Sequence, residues 1–204
     1  MRSWSSYLVW SGAIIATAGC ATTAAVPTRP SQSSVIPNFQ CVAPGLLYRG
    51  AQPTPAGMQA LKDMGIKTIV SLRVPHAVNA WEADAAGQLD MAFVSLPLSN
   101  YGRPNEAKVQ EFLRIVTDPT RQPVFVHCRQ GQLRTGAMIA SYRVSQEGWT
   151  AGAAYAEAKE MGFGTDYPWF SPLKRFIQGL KHDEVVPAIP QQTATLPEPQ
   201  PIPQ

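Results

Sequence analysis

The segment His127-Cys128-Arg129-Gln130-Gly131-Gln132-Leu133-Arg134-Thr135-Gly136 brings a thiol, a guanidinium and a hydroxyl into one short loop. It follows Gln122-Pro123-Val124-Phe125-Val126-His127, an apolar run that predicts a buried strand. A helix is predicted over 134–147. Cys128 is therefore expected at the carboxyl end of a strand and the mouth of a helix. In such a loop the backbone N–H groups of Arg129, Gln130, Gly131, Gln132, Leu133 and Arg134 can converge as an anion nest. The helix dipole adds positive potential. Both favour a thiolate, which lowers the Cys128 pKa and makes it a nucleophile at neutral pH. Gly131 permits the backbone turn. Arg134 can close on a tetrahedral dianion through two parallel hydrogen bonds, which lysine cannot do. Thr135 can donate its hydroxyl to the sulfur and help it leave. The chemistry this suits is nucleophilic attack by sulfur beside a bound tetrahedral anion. A bare Cys-x5-Arg spacing is weak evidence, since a cysteine at a strand end is often a small buried hydrophobe. Here the glycine, arginine and threonine all fall in register.

The elements that must hold this loop alternate. Helices are expected over 55–65, 79–88, 105–117, 134–147, 150–161 and 171–181, and strands over 67–72, 91–96 and 122–127. Pro55 and Gly65 bracket the first helix. Strands separated by helices predict an α/β fold, a mostly parallel central sheet flanked by helices. In such a sheet the functional crevice lies beyond the carboxyl ends of the strands. Arg73 ends the strand at 67–72 and Arg103 lies on the loop after 91–96. Either could bind a second phosphate or an acidic substrate, or be an ordinary surface cation. Arg49 is a third such cation, and Tyr101 could stack on an aromatic substrate or merely pack on its loop.

HCRQGQLRTG resembles the His-Cys-x-x-Gly-x-x-Arg-Thr-Gly loop of the protein tyrosine phosphatase superfamily at every fixed position. Leu47-Tyr48-Arg49-Gly50-Ala51-Gln52-Pro53, the run GIKTIVSLR, Tyr142-Arg143, Gly148-Trp149 and Ala156-Glu157-Ala158-Lys159-Glu160-Met161 resemble the compact bacterial dual-specificity-like phosphatases. The likeness covers about residues 43–180. It implies a dual-specificity-phosphatase-like fold and a cysteinyl-phosphate intermediate on Cys128, with no metal or organic cofactor. It implies that His127 organises the loop and tunes the sulfur.

These enzymes usually protonate the leaving group with an aspartate on a neighbouring loop. The corresponding loop, Pro97-Leu98-Ser99-Asn100-Tyr101-Gly102-Arg103-Pro104-Asn105-Glu106, contains no aspartate. Position 133, where some relatives carry it, is leucine. Asp90 and Asp118 precede strands and sit at the wrong end of the sheet. Glu106 is the nearest carboxylate on the correct side, although a glutamate in a first helical turn is favourable against the dipole anyway. Asp84, Glu82 or no protein acid at all are the other options.

The flanks read differently from the core. Residues 1–19 have one charge, Arg2, and an apolar centre from Tyr7 to Ala16, the anatomy of a signal peptide. Thr17-Ala18-Gly19-Cys20 resembles a bacterial lipobox, with Cys20 the lipidated residue and Ala21 following it. This pattern implies a bacterial cell-envelope protein held at a membrane by lipid, on the periplasmic side of the outer membrane. An ordinary secretory signal or a retained anchor are the alternatives. Residues 20–38 are expected to be a flexible stalk, 39–182 the phosphatase-like domain, and 183–204, with six prolines, a disordered tail.

With 204 residues, the chain is one domain plus extras. Five Trp, seven Phe and six Tyr exclude wholesale disorder, and a single apolar stretch excludes a polytopic membrane protein. Seventeen Lys and Arg against fourteen Asp and Glu give no case for nucleic acid. Three cysteines are too few for a disulfide scaffold. Cys41 could pair with Cys128 and silence it, or both could be free thiols. The expected partner is a phosphorylated protein or small molecule, taken by a monomer. A lipoprotein that binds phosphorylated ligands but turns over poorly is the alternative, favoured by the absent aspartate. Sulfur transfer or arsenate reduction lacks the surrounding context.

Overall fold

The strands form one five-stranded sheet in the computed structural model, which describes residues 35–74, 80–164 and 171–182. In chain order the elements are β1 (Gln40–Ala43), β2 (Leu47–Ala51), α1 (Pro55–Asp63), β3 (Thr68–Ser71), α2 (Trp81–Gln88), β4 (Ala92–Ser95), α3 (Glu106–Thr117), β5 (Val124–Cys128), α4 (Leu133–Glu147), α5 (Ala151–Glu160) and α6 (Ser171–Gln178). The spatial order is β1-β2-β5-β3-β4. β5 runs parallel to both neighbours, β3 runs parallel to β4, and only β1 on the edge is antiparallel. The expected mostly parallel α/β sheet is therefore present, with β5 at its centre.

Strands β1 and β2 were not among the predicted elements. Gln40-Cys41-Val42-Ala43 and Leu47-Tyr48-Arg49-Gly50-Ala51 lack a clean apolar alternation. Pairing onto β5 from Leu47↔Val124 to Ala51↔Cys128 makes β2 a strand, not its own propensity.

Helix boundaries follow local chemistry. Thr54 caps α1 by accepting from the Gly57 amide, with Pro55 at the first helical position. Asn105 caps α3 through the Lys108 amide, and Thr150 caps α5 through the Ala153 amide. α4 ends on Gly148, whose φ of 69° is the left-handed conformation of a C-terminal cap. α4 is buried almost all round from Arg134 to Ser145, so it shows no apolar stripe in sequence.

Alternation along β5 separates two cores. Val124, Val126 and Cys128 face the larger cluster, with residues of α3, α4, α5 and α6. Phe125 faces the other, with Met58 and Leu61 of α1 and Ala86 of α2. His127 lies on that second face, its ring stacked on Phe125 at 5.8 Å between centroids. Two neighbours in sequence thus look into opposite halves of the molecule.

The expected stalk is too long. Ile36 is fully buried in the α1 face, and the Pro37 carbonyl accepts from the Ala51 amide at 2.8 Å. Burial of one isoleucine orders the residues before 39, which composition alone reads as linker. The apolar leader, Cys20, the earlier stalk residues and the Pro-rich tail at 183–204 lie outside the described residues. No helix among the described residues is long and apolar enough to cross a membrane.

Candidate active site

Cys128 ends β5 and is 2% exposed, with the turn into α4 directly after it. Burial alone pushes its thiol up. The Thr135 hydroxyl and amide, the Arg134 charge and the Gln130 amide together outweigh that, so the thiol lies below its ordinary value. Sulfur is therefore biased toward thiolate where the sequence placed the nest.

The turn is held from outside by β2 and by the residues before β1. Gly131 has φ +71°, and a Cβ there would lie 2.4 Å from the Gly50 carbonyl group. Only glycine lets the loop approach β2 so closely. The Arg49 guanidinium, fully buried, donates from Nη2 to the Gly131 carbonyl at 2.7 Å. Arg49 is therefore a strut beneath the loop and not the surface cation or phosphate ligand considered from sequence. Burial pushes it down to about 10, against the raising pull of Glu157 and of Cys128. The Asn38 side-chain amide donates to the Gln130 carbonyl at 2.8 Å, and the Gln52 amide to the Arg129 carbonyl at 3.4 Å. Three separate hydrogen bonds thus shape the turn before any ligand arrives.

Arg134, at the start of α4, donates from Nη1 to the Leu72 carbonyl at 3.3 Å. Burial lowers its pKa, the Cys128 thiolate raises it, and the charges of Arg73 and Arg129 lower it again. Three guanidinium groups therefore feel one another around this loop. Leu133 and Gln132 are half-buried at the helix start. The Gln132 side chain packs over Gly162, where a Cβ would meet its Nε2 at 2.6 Å.

The other candidates divide. Arg73 and Arg129 line one cavity of about 870 Å³ together with Gln52, Thr54 and Trp81. Arg103 and Glu106 line a different one of about 650 Å³, with Val109, Phe176, Leu180 and Lys181. No residue from Cys128 to Thr135 lines that second cavity. Arg103 sits 5.8 Å over the Phe176 ring, and Tyr101 is 65% exposed. Glu82, one of the acid options, is fully buried against His127 and unavailable to a leaving group; Asp84 is exposed on α2. Among the described residues no group of three or more His, Cys, Asp or Glu converges to hold a metal.

Cys41 is exposed on β1, and both thiols are free. Cys41 is level with Phe125 across β2, so the sheet spacings set it about 14 Å from Cys128, beyond disulfide reach.

Sequence reasoning missed Gln52 and the roles of Glu82 and Arg49. Gln52 was visible only as part of the LYRGAQP run, Arg49 was read as a candidate cation and not as a strut, and no spacing rule connects Glu82 to position 127. It also left Arg143 without a role. Arg143 binds Glu157 at 2.6 Å, Glu147 at 2.6 Å and the Val42 carbonyl at 3.1 Å, under the Trp149 ring at 4.5 Å. That cluster locks α4, α5 and β1 behind the loop.

Known proteins share this arrangement. The family model described as DSP-PTPase phosphatase fused to NAD+ kinase matches residues 30–165. The dual specificity protein phosphatase TpbA of Pseudomonas aeruginosa is 36% identical over 121 residues, 59% of this chain and 53% of its own length. The chain thus spans about half the length of that curated relative. The crystal structure of P. aeruginosa TpbA in complex with phosphotyrosine superposes with a TM-score of 0.62 at 29% identity, covering 74% of this chain and 88% of that one. The catalytic domain of the PP-IP phosphatase Siw14 of S. cerevisiae, in complex with citrate, shares the fold at 23% identity, with a TM-score of 0.62 over 72% of this chain and 88% of that one. With the matched region spanning the whole sheet and the Cys128 loop, the chain belongs to the dual-specificity-like phosphatases of the protein tyrosine phosphatase type.

Proposed function

We propose that the protein hydrolyses phosphomonoesters through a cysteinyl-phosphate intermediate on Cys128. The observation that carries this reading is a buried thiol held below its ordinary pKa at the strand-to-helix turn, with Arg134 beside it. The thiolate attacks phosphorus while the loop amides and Arg134 hold the phosphoryl oxygens. The P–O ester bond breaks and the alcohol or phenol leaves with a proton. Water then attacks the cysteinyl-phosphate, the P–S bond breaks, and Thr135 donates to the departing thiolate as orthophosphate is released.

The proton for the leaving group is the weak point of the site. Glu106 remains the carboxylate assigned to it, yet it faces a cavity to which the Cys128 loop contributes nothing. Leaving groups that depart as stable anions are therefore the preferred substrates, phosphotyrosine ahead of phosphoserine. The TpbA complex with phosphotyrosine supports the same choice. Arg73 and Arg129 are the substrate-side cations, suited to a second acidic group on a phosphoprotein or a small molecule. We place the protein in a bacterial envelope as a monomer, anchored through lipid at Cys20 by its leader.

Hydrolysis of p-nitrophenyl phosphate by the purified chain, with reductant and chelator, tests this reading. Activity lost in Cys128→Ser is the expected result. Phosphate or vanadate binding without turnover would support the second reading, a phospho-ligand-binding lipoprotein, which the same missing aspartate favours.

A further inference from the structure

Ile36, Pro37 and Asn38, which composition assigns to the end of a linker, form a turn with Phe39 beside the reactive loop. The Phe39 amide donates back to the Ile36 carbonyl at 3.2 Å. Proline presets the second position of such a turn, and asparagine tolerates the left-handed third, where Asn38 has φ +54°. Both ends of the turn are anchored. Ile36 is fully buried in the α1 face, and the Phe39 ring stacks on Tyr48 at 5.9 Å and on Phe125 at 6.2 Å between centroids. The half-buried Asn38 side chain is thereby carried to the Gln130 carbonyl, to which its amide donates at 2.8 Å.

Three successive peptide groups of the loop are held by their carbonyls. The Arg129 carbonyl accepts from the Gln52 backbone amide, the Gln130 carbonyl from Asn38 and the Gly131 carbonyl from Arg49. In a trans peptide the N–H points away from the C=O, and the only cis peptide among the described residues is Gln122–Pro123. A carbonyl drawn out of the loop therefore turns the next residue's amide the opposite way. The first of the three peptides shows where that way leads. Its N–H belongs to Gln130, and that amide is hydrogen-bonded to Cys128. The second peptide carries the Gly131 amide, and its holder is Asn38.

We propose that Asn38 is a positioning residue, which aims the Gly131 amide at the oxygens of a tetrahedral anion bound over Cys128. The inference rests on that loop being the phosphate site. Its benefit is preorganisation, since an amide already turned inward needs no reorganisation when the dianion arrives. A carboxamide suits the task because it has an N–H to give the carbonyl, which aspartate lacks.

Tungstate, a tetrahedral dianion, is the probe, and the full chain is used throughout. Asn38→Gly keeps the left-handed turn and removes only the donor. Its dissociation constant for tungstate, by calorimetry, is expected to rise about tenfold. Labelling of Cys128 by iodoacetamide at one pH, in a Cys41→Ser background, should stay within about twofold, because Gln52 and not Asn38 holds the amide nearest the sulfur. An unchanged tungstate affinity overturns the proposal. So does an equal loss of affinity and of labelling, which marks a general collapse of the loop. The wild type supplies a second measurement. Its Gly131 amide proton should move downfield in ¹H–¹⁵N NMR when tungstate is added, and an unmoved resonance overturns the proposal without any variant. Failure of the wild type to hydrolyse p-nitrophenyl phosphate, with the tungstate difference intact, would overturn the hydrolase reading and uphold this one.

Discussion

The Arg49 side chain reaches from β2 to the Gly131 carbonyl, 2.7 Å away, while its Nε and Nη1 find no hydrogen-bond partner among the described side chains and backbone. A buried cation with one good bond is a poor stability device, because dehydration opposes the gain. Its value lies in shape. We expect Arg49→Met to change stability by less than about 2 kcal/mol, with lost dehydration cost offsetting the freed carbonyl. Turnover of p-nitrophenyl phosphate should still fall by more than about tenfold as the loop loses its strut. Thermal melts and kcat/KM on the same sample separate the two effects.

Gly131→Ala should be far worse than its size suggests. The added methyl meets the Gly50 backbone at 2.4 Å and the φ of +71° is unfavourable for alanine. A loss of roughly 2–4 kcal/mol is expected from strain and forced displacement of β2. A melting temperature within a degree of wild type would refute the close approach.

Thr135→Ala should raise the Cys128 pKa, since the Thr135 hydroxyl is the largest of the influences lowering it. The sign for stability follows. A thiol whose folded pKa is lowered stabilises the fold above its unfolded pKa and loses that contribution as pH falls through the folded pKa. Urea midpoints of wild type should therefore gain on those of Cys128→Ala as pH rises from below the folded pKa toward that of a free thiol. The gap should be smaller in the Thr135→Ala background.

The Arg143 cluster should govern stability and little else. Its side chain is 9% exposed and pairs with two carboxylates. Removing one partner of such a pair leaves buried charge, so Arg143→Ala is expected to cost about 3–5 kcal/mol. Arg143→Lys should recover only part, because a lysine cannot meet Glu157 with two nitrogens. At a temperature where the variant is folded, kcat/KM should stay within about threefold of wild type, since no Arg143 contact reaches the loop.

Ile36 tests where the domain begins. Ile36→Ala should cost about 2–4 kcal/mol as a buried truncation. A chain cut to start at residue 39 should lose more, because it also lacks the Pro37 and Asn38 bonds. Equal stability of the cut and uncut chains in a urea titration would show these residues to be a linker after all.

Much of this was readable along the chain. The apolar run 122–127, the glycine, arginine and threonine in register after Cys128, and the capped helices are local signals set by neighbours in sequence. They determine that a thiol ends a buried strand at a helix mouth. Local signals do not carry across the sheet. β2 is a strand because β5 lies beside it, Ile36 is core because Gly50 and Gly57 leave it room, and Arg103 faces Phe176 because α6 packs there. Glu82 shows this most clearly. Nothing in the spacing between positions 82 and 127 connects them. The alternation of β5 turns His127 away from Cys128, and only the packing of α2 on that far face brings a carboxylate to its ring. The loop around Cys128 is written in adjacent residues; what holds it is not, because those contacts join residues that share a space and not a stretch of chain.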